Sequence, residues 1–313
     1  MEALQARHIL GMDDLTRQDI SKILLLAKKF KTSHGPTPLL KRKTVVNLFF
    51  EPSTRTRSSF EIAAKRLGAT SINITEAQSS TVKGETLIDT AKNIEAMNPD
   101  VIILRHSSSG APYVLSQILK TPIINAGDGF HEHPTQALLD LFTIEEAKGK
   151  ISGLKILIVG DIAHSRVARS NIYGLKKMGA HIIVCGPPTL IPPAMTKLGV
   201  EVSYDLKASV QKADVIMMLR IQEERQDHIQ FPSKKEYIQY FGLNSETVKL
   251  AKKDVIIMHP GPLNRGIEIS PEVADGPYSV ILNQVTNGVV VRMALLYLLM
   301  GPKARGGKHA PLH

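Results

Sequence analysis

The stretch that most constrains this chain is an apolar run that stops at a turn rich in hydroxyls and arginines. Thr44-Val45-Val46-Asn47-Leu48-Phe49-Phe50 leads directly into Glu51-Pro52-Ser53-Thr54-Arg55-Thr56-Arg57-Ser58-Ser59-Phe60. The β-branched and aromatic content of the run predicts a buried strand. Beyond it, Phe60, Ala63, Ala64 and Leu67 recur at helical spacing, and Gly68 is placed to cap the helix end. Ser53 to Arg57 therefore occupy the first turn of a helix launched from a strand. Backbone N–H groups without intrahelical acceptors and the positive end of the helix dipole converge there. Hydroxyls and guanidiniums add donors, so the turn suits an anion, phosphate above all. The same residues are also ordinary helix caps and solvated arginines, and residue chemistry alone leaves both readings open. Two arginines at the positive end of a dipole are unfavourable unless an anion is present.

The same arrangement recurs down the chain. Ser71-Ile72-Asn73-Ile74 is β-prone, Val101-Ile102-Ile103-Leu104 is a predicted strand ending in Arg105-His106, and Pro122-Ile123-Ile124-Asn125-Ala126-Gly127 precedes the turn carrying His133-Pro134-Thr135-Gln136. Leu154 to Val159 precedes Arg166, Asp214 to Leu219 precedes Arg220-Ile221-Gln222, and Val255 to Met258 precedes His259-Pro260-Gly261-Pro262. Short apolar strands alternating with helical stretches predict an α/β fold with parallel sheets. In such sheets ligands bind beyond the carboxyl ends of the strands, which is where these polar residues fall. Helices are predicted from Asp13 to about Thr32, with Thr16 as cap, from Pro134 to about Gly149, from Val167 to Met178, and from Asn287 to Met300. Thr75 to Gly84 and Glu223 to Ser245 lack apolar periodicity and read as loops.

Composition narrows the function classes. With 313 residues and 43% hydrophobic content the chain can bury a large core in two domains. Its 39 basic against 29 acidic residues give a net charge of +10, which favours anionic ligands but is spread along the chain, unlike a nucleic-acid footprint. The single cysteine, Cys185, excludes an intrachain disulfide and a four-cysteine zinc module. Asp128, His131 and His133 lack the further ligand cluster that a metal site needs, and Gly160 is the only glycine of a dinucleotide-binding fingerprint in its place. The expectation is therefore no metal, no cofactor, no membrane segment and a cytoplasmic location.

Glu51-Pro-Ser-Thr-Arg-Thr-Arg-x-Ser-Phe-Glu61 resembles the carbamoyl-phosphate motif of the aspartate and ornithine carbamoyltransferases, and the likeness extends over roughly residues 7 to 300. The resemblance implies that Ser53, Thr54, Arg55, Thr56 and Arg105 hold the phosphate of carbamoyl phosphate. Thr56, Arg105 and His133 would polarise the carbonyl oxygen. Gln136 and the main chain at Pro260 and Gly261 would hold the carbamoyl NH2, with Pro262 stiffening a turn whose Gly261–Pro262 bond is expected to be cis. Lys83, Arg166, Arg220 and Gln222 would bind the second substrate. In family members that are trimers a neighbour supplies Ser79 and Lys83 to the site, and neither metal nor covalent intermediate is required.

Which second substrate follows from charge. The cationic side chain of ornithine would be repelled by arginines, whereas Arg166 and Arg220 can each grip a carboxylate with charge-assisted bonds of about 1.5–3 kcal/mol. The turn His259-Pro-Gly-Pro also lacks the cysteine typical of the ornithine enzymes. The expected reaction is transfer of the carbamoyl group to L-aspartate, giving N-carbamoyl-L-aspartate and phosphate, within pyrimidine synthesis. The expected domains are 1–146 for carbamoyl phosphate and 147–286 for aspartate, with a helix over 287–300 returning to the first domain and a flexible tail over 301–313. A homotrimer is expected, and association with a regulatory chain or a dihydroorotase stays open.

Overall fold

The computed structural model describes residues 4–33, 35–75, 85–221 and 233–301. The described helices are α1 (Arg17–Thr32), α2 (Thr54–Arg66), α3 (Leu87–Ala96), α4 (Ala111–Ile118), α5 (Pro134–Lys148), α6 (Arg166–Lys177), α7 (Leu206–Lys212), α8 (Lys234–Phe241), α9 (Ser245–Val248), α10 (Pro271–Ala274) and α11 (Ile281–Met300). The strands are β1 (Thr44–Phe49), β2 (Thr70–Thr75), β3 (Val101–His106), β4 (Ile123–Asp128), β5 (Lys155–Val159), β6 (His181–Cys185), β7 (Glu201–Ser203), β8 (Val215–Met218) and β9 (Ile256–Met258). Two compact units result. One holds the described residues up to Leu138 and those from Gly288 onward, and the other holds Leu139–Asn287.

The first unit contains a four-stranded sheet in the order β2-β1-β3-β4, the second a five-stranded sheet in the order β7-β6-β5-β8-β9. All neighbouring pairs are parallel. Parallel strands covered by helices on both faces are apolar nearly throughout, which is why β1, β3 and β5 read as continuous hydrophobic runs. Val46, Leu48, Ile102 and Leu104 pack with Ala91, Ile94 and Leu115 in the first core. Leu157, Val159, Ile216, Met218 and Ile257 pack with Tyr237 and Phe241 in the second. The order in which successive strands are added reverses once in each sheet, between β1 and β3 in the first unit and between β5 and β8 in the second. These are the switch points at which open α/β sheets bind ligands.

Local signals explain most element ends. α1 begins after Thr16, whose hydroxyl accepts from the Asp19 N–H at 3.1 Å while the Asp19 carboxylate accepts from the Thr16 N–H at 3.2 Å, a capping box. α2 is closed by its C-cap Leu67 and then by Gly68, which takes φ +76°. Two expectations are corrected. The segment from Glu223 to Ser245, read as a loop, carries α8, because Ser233 caps its first turn by accepting from the Glu236 N–H at 3.1 Å and Tyr237 and Phe241 are buried. The Ser-x-x-Glu box and the Tyr237/Phe241 spacing were the signals for it. The last helix starts at Ile281, not at Asn287. β6, β7 and the short helices add to the elements expected from the sequence.

α11 is long and apolar enough to cross a membrane, but 61% of its apolar window is buried inside the protein, as in a core helix. Its residues from Gly288 onward join the first unit, where Tyr297 meets Phe30 edge-on at 6.1 Å. Cys185 is fully buried at the end of β6, and burial pushes its thiol up to about 11, a structural rather than a reactive cysteine.

Candidate active site

In the first unit β1 delivers the chain to α2. Ser53 stands at the N-cap with extended backbone, yet its side chain makes no capping bond, and no acidic residue lies in the first turn. A cap serine ordinarily accepts from the second or third N–H of its helix. Here neither the hydroxyl nor a carboxylate occupies the positive end, which leaves that end to an anion. Thr54 and Arg55 are exposed, and Thr56 turns inward.

Arg105 lies in the last residues of β3, directly across from Phe49 of β1. It is 9% exposed. Its Nη1 donates to the Ala126 carbonyl at 3.2 Å and its Nη2 to Glu51 Oε1 at 2.8 Å. The guanidinium is thus held at the switch point from two sides, by β4 and by the turn after β1. Glu51 belongs to the motif, two residues before Ser53, and its part in holding Arg105 shows only in the fold.

Beyond β4 the turn to His133 is built around Asp128. Its Oδ1 accepts from Asn125 Nδ2 at 2.8 Å and from the Glu132 N–H at 3.0 Å, and its Oδ2 accepts from the Gly110 N–H at 2.7 Å and faces His131 Nδ1 at 3.1 Å. Asp128 is therefore a turn organiser, and among the described residues no group of three His, Cys, Asp or Glu could hold a metal ion. His133 and Gln136 are both largely buried, His133 just before α5 and Gln136 in its first turn. Thr135 Oγ1 stands 3.5 Å from His133 Nδ1. Behind it Arg292 of α11 donates to Thr135 Oγ1 at 3.4 Å and to Ser59 Oγ at 2.9 Å, with its guanidinium 5.0 Å from the Phe60 ring centre. One buried cation so links the start of α5 to the phosphate-turn helix.

In the second unit the pattern repeats. Val159 of β5 and Met218 of β8 are register partners across the switch point. Arg166 opens α6 behind Ser165, whose hydroxyl accepts from the Ala168 N–H at 3.1 Å, and Arg220 follows β8. Arg166 is 4% exposed and Arg220 half-buried. Asp161, fully buried, shapes the loop from β5 to α6 by accepting from the His164 N–H at 3.1 Å and facing its ring Nδ1 at 2.9 Å. Gly160 has φ +129°, and a Cβ there would stand 3.1 Å from Leu219 Cβ. Close backbone packing, not a dinucleotide, accounts for that glycine. After β9, Gly261 takes φ +66° and the Gly261–Pro262 bond is cis, as the turn had led us to expect. Ser79, Lys83 and Gln222 lie outside the described residues.

The structure thus sets Arg55 and Arg105 at the switch point of the first sheet, and Arg166 and Arg220 at that of the second. Two parallel α/β units, each carrying cationic donors where such sheets bind ligands, define a protein for anionic small molecules. The comparisons give that class a family. The model described as aspartate/ornithine carbamoyltransferase, carbamoyl-P binding domain, matches residues 7–146, and the companion Asp/Orn binding domain matches residues 152–299. The aspartate carbamoyltransferase catalytic subunit of Syntrophus aciditrophicus is 60% identical over 301 residues, covering 95% of this chain and 98% of its own. That of Syntrophobacter fumaroxidans is 59% identical, covering 94% and 97%. Among solved structures, aspartate transcarbamoylase from Trypanosoma cruzi in complex with carbamoyl phosphate and aspartate superposes with a TM-score of 0.87 at 30% identity, covering 95% and 98%. Ornithine carbamoyltransferase from Pyrococcus furiosus gives 0.86 at 32% identity, covering 96% and 99%. The chain belongs to the aspartate/ornithine carbamoyltransferase family.

Proposed function

We propose that the chain transfers the carbamoyl group of carbamoyl phosphate to the amino group of L-aspartate, giving N-carbamoyl-L-aspartate and phosphate. The observation that carries this reading is the pair of arginine sets at two switch points, one beside a hydroxyl-rich helix N-terminus suited to phosphate and one suited to a dicarboxylate. The fold superposes almost equally well on an aspartate and an ornithine enzyme, so fold does not select the acceptor. The named relatives at 55–60% identity are aspartate enzymes, which supports the charge argument.

In the reaction the aspartate nitrogen forms a bond to the carbamoyl carbon, the carbon–oxygen bond to phosphate breaks, and the proton of the amine passes to the departing phosphate. Ser53, Thr54, Arg55 and Thr56 receive the phosphate at the helix N-terminus. Arg105, held by Glu51 and the Ala126 carbonyl, reaches it as well and joins Thr56 and His133 on the carbonyl oxygen, where negative charge develops. Gln136 and the carbonyls of Pro260 and Gly261 accept from the carbamoyl NH2. Arg166 and Arg220, with Lys83 and Gln222, hold the aspartate carboxylates, and holding both reactants in line supplies much of the rate. Assayed with carbamoyl phosphate and either aspartate or ornithine, the protein is expected to release phosphate and form carbamoyl product with aspartate alone. Product with ornithine would overturn the assignment of Arg166 and Arg220.

The same reading makes the protein a cytoplasmic homotrimer in pyrimidine synthesis, with Ser79 and Lys83 supplied to each site by a neighbour. Mixing an Arg55→Ala chain with a Lys83→Ala chain is then expected to restore activity to a fraction of the sites. A mixture as inactive as its parents would sink the shared site.

A further inference from the structure

We propose that His259 and Glu268 are a positioning pair that sets the backbone of the turn offered to the carbamoyl NH2. The inference rests on the reading above, in which the carbonyls of Pro260 and Gly261 are the acceptors. Both side chains are fully buried, at 0% exposure, so neither touches a substrate. Their bonds all point at the turn. The Gly261 N–H donates to His259 Nδ1 at 2.8 Å. An amide N–H can only donate, so Nδ1 is the acceptor and the ring proton sits on Nε2. Nε2 then donates to Glu268 Oε1 at 3.1 Å, and the same oxygen accepts from the Asn264 N–H at 2.5 Å. The turn is therefore strapped from within at two backbone N–H groups, Gly261 by the imidazole and Asn264 by the carboxyl group.

The strap has a fixed anchor. The His259 N–H donates to Gln284 Oε1 at 2.9 Å, Gln284 Nε2 donates to Asp140 Oδ1 at 2.8 Å, and Asp140 Oδ2 accepts from Asn171 Nδ2 at 2.8 Å. These residues belong to α11, α5 and α6, all fully buried or nearly so. Glu268 Oε2 is buried without a hydrogen-bond partner, so the geometry of this acid is spent on one oxygen. An unsatisfied buried oxygen costs stability. A cost carried beside the turn is what a site device, rather than a stabilising contact, would show. Because a carbonyl pair orients the NH2 only if its peptide planes are held, the pair acts on kcat and on the use of carbamoyl phosphate, and not on aspartate binding.

Two amide substitutions separate the two ring bonds. His259→Asn keeps an acceptor near the Nδ1 position and loses the donor to Glu268; His259→Gln keeps a donor near Nε2 and loses the acceptor for Gly261. Steady-state kinetics with both substrates and thermal melting are measured for each, alongside Glu268→Gln and Glu268→Leu. His259→Gln and Glu268→Leu are expected to lower kcat by about 10–100-fold and to raise KM for carbamoyl phosphate, with KM for aspartate within about twofold. His259→Asn and Glu268→Gln, which keep the acceptors of the two N–H groups, are expected to stay within about fivefold of the parent. Equal losses in His259→Asn and His259→Gln, or losses that track the melting temperature with unchanged KM values, would overturn the pair. A parent that makes no carbamoyl aspartate overturns the reading itself, whereas an active parent with an unimpaired His259→Gln variant overturns only the positioning role.

Discussion

Arg105→Ala lowers kcat for carbamoyl transfer by about 10³-fold while the protein still folds. Removing one donor from a developing oxyanion ordinarily costs about 10²–10³ in rate, and in the proposed chemistry Arg105 serves both the carbonyl oxygen and the departing phosphate. Its value there depends on rigidity: the residue sits in a central strand, in register with Phe49, with the Ala126 carbonyl and the Glu51 carboxylate fixing its two terminal nitrogens. The substitution leaves Glu51 without that guanidinium, but the Glu51 side chain is 20% exposed and can turn to solvent. The stability lost is then on the order of 1 kcal/mol, the scale of a partly exposed ion pair. Arg105→Lys restores the charge but not the planar fork and is expected to recover about tenfold of the loss. The measurement is kcat against carbamoyl phosphate with a parallel melting curve. A kcat within tenfold of the parent for Arg105→Ala would remove this residue from the reaction.

Arg166→Ala raises KM for aspartate by about 10–100-fold and leaves KM for carbamoyl phosphate within about twofold. A charge-assisted pair with a carboxylate contributes about 1.5–3 kcal/mol, which is that range of affinity. Arg166 stands at the first position of α6, where the helix dipole disfavours a cation and favours an anion brought to it. A side chain 4% exposed in that place is bound to serve a ligand or the fold, and the two differ in their kinetic signature. Loss of folded protein lowers the apparent kcat and moves neither KM, whereas loss of a substrate grip moves one KM. Arg166→Ala combined with Arg220→Ala is expected to abolish saturation by aspartate. If KM for aspartate stays within threefold in the Arg166→Ala variant, the dicarboxylate assignment fails and the acceptor must be recognised elsewhere.

How much of this was legible beforehand depended on distance along the chain. The phosphate turn was readable because strand, turn and helix are contiguous from Thr44 to Gly68, and each step has its own local signal. Arg105, His133, Arg166 and Arg220 were readable as strand-end residues for the same reason. α8 was missed because only a capping box and two aromatic residues mark it within a polar segment, and burial of Tyr237 and Phe241 against the second core is what makes it a helix. Helices as short as this are stabilised mainly by packing. Glu51 received no role because its partner lies 54 residues away. The Gln284–Asp140 bond spans 144 residues, and nothing near either residue announces it.

The sequence by itself determined the α/β class, the strand ends at which charge collects, and the family to which the chain belongs. Those properties are written in short windows of a few residues, where side-chain period, turn chemistry and motif act together. Only the tertiary structure decided that β1 lies beside β3 and β5 beside β8, so that Arg55 and Arg105 fall at one switch point and Arg166 and Arg220 at the other. It also decided which side chains brace the site, Glu51 on Arg105 and the buried His259 with Glu268 beneath the Pro-Gly-Pro turn. The physical reason is that strand order and buried hydrogen bonds join residues whose separation along the chain is large, and a pairing of that kind is chosen by packing of the whole unit rather than by any local preference.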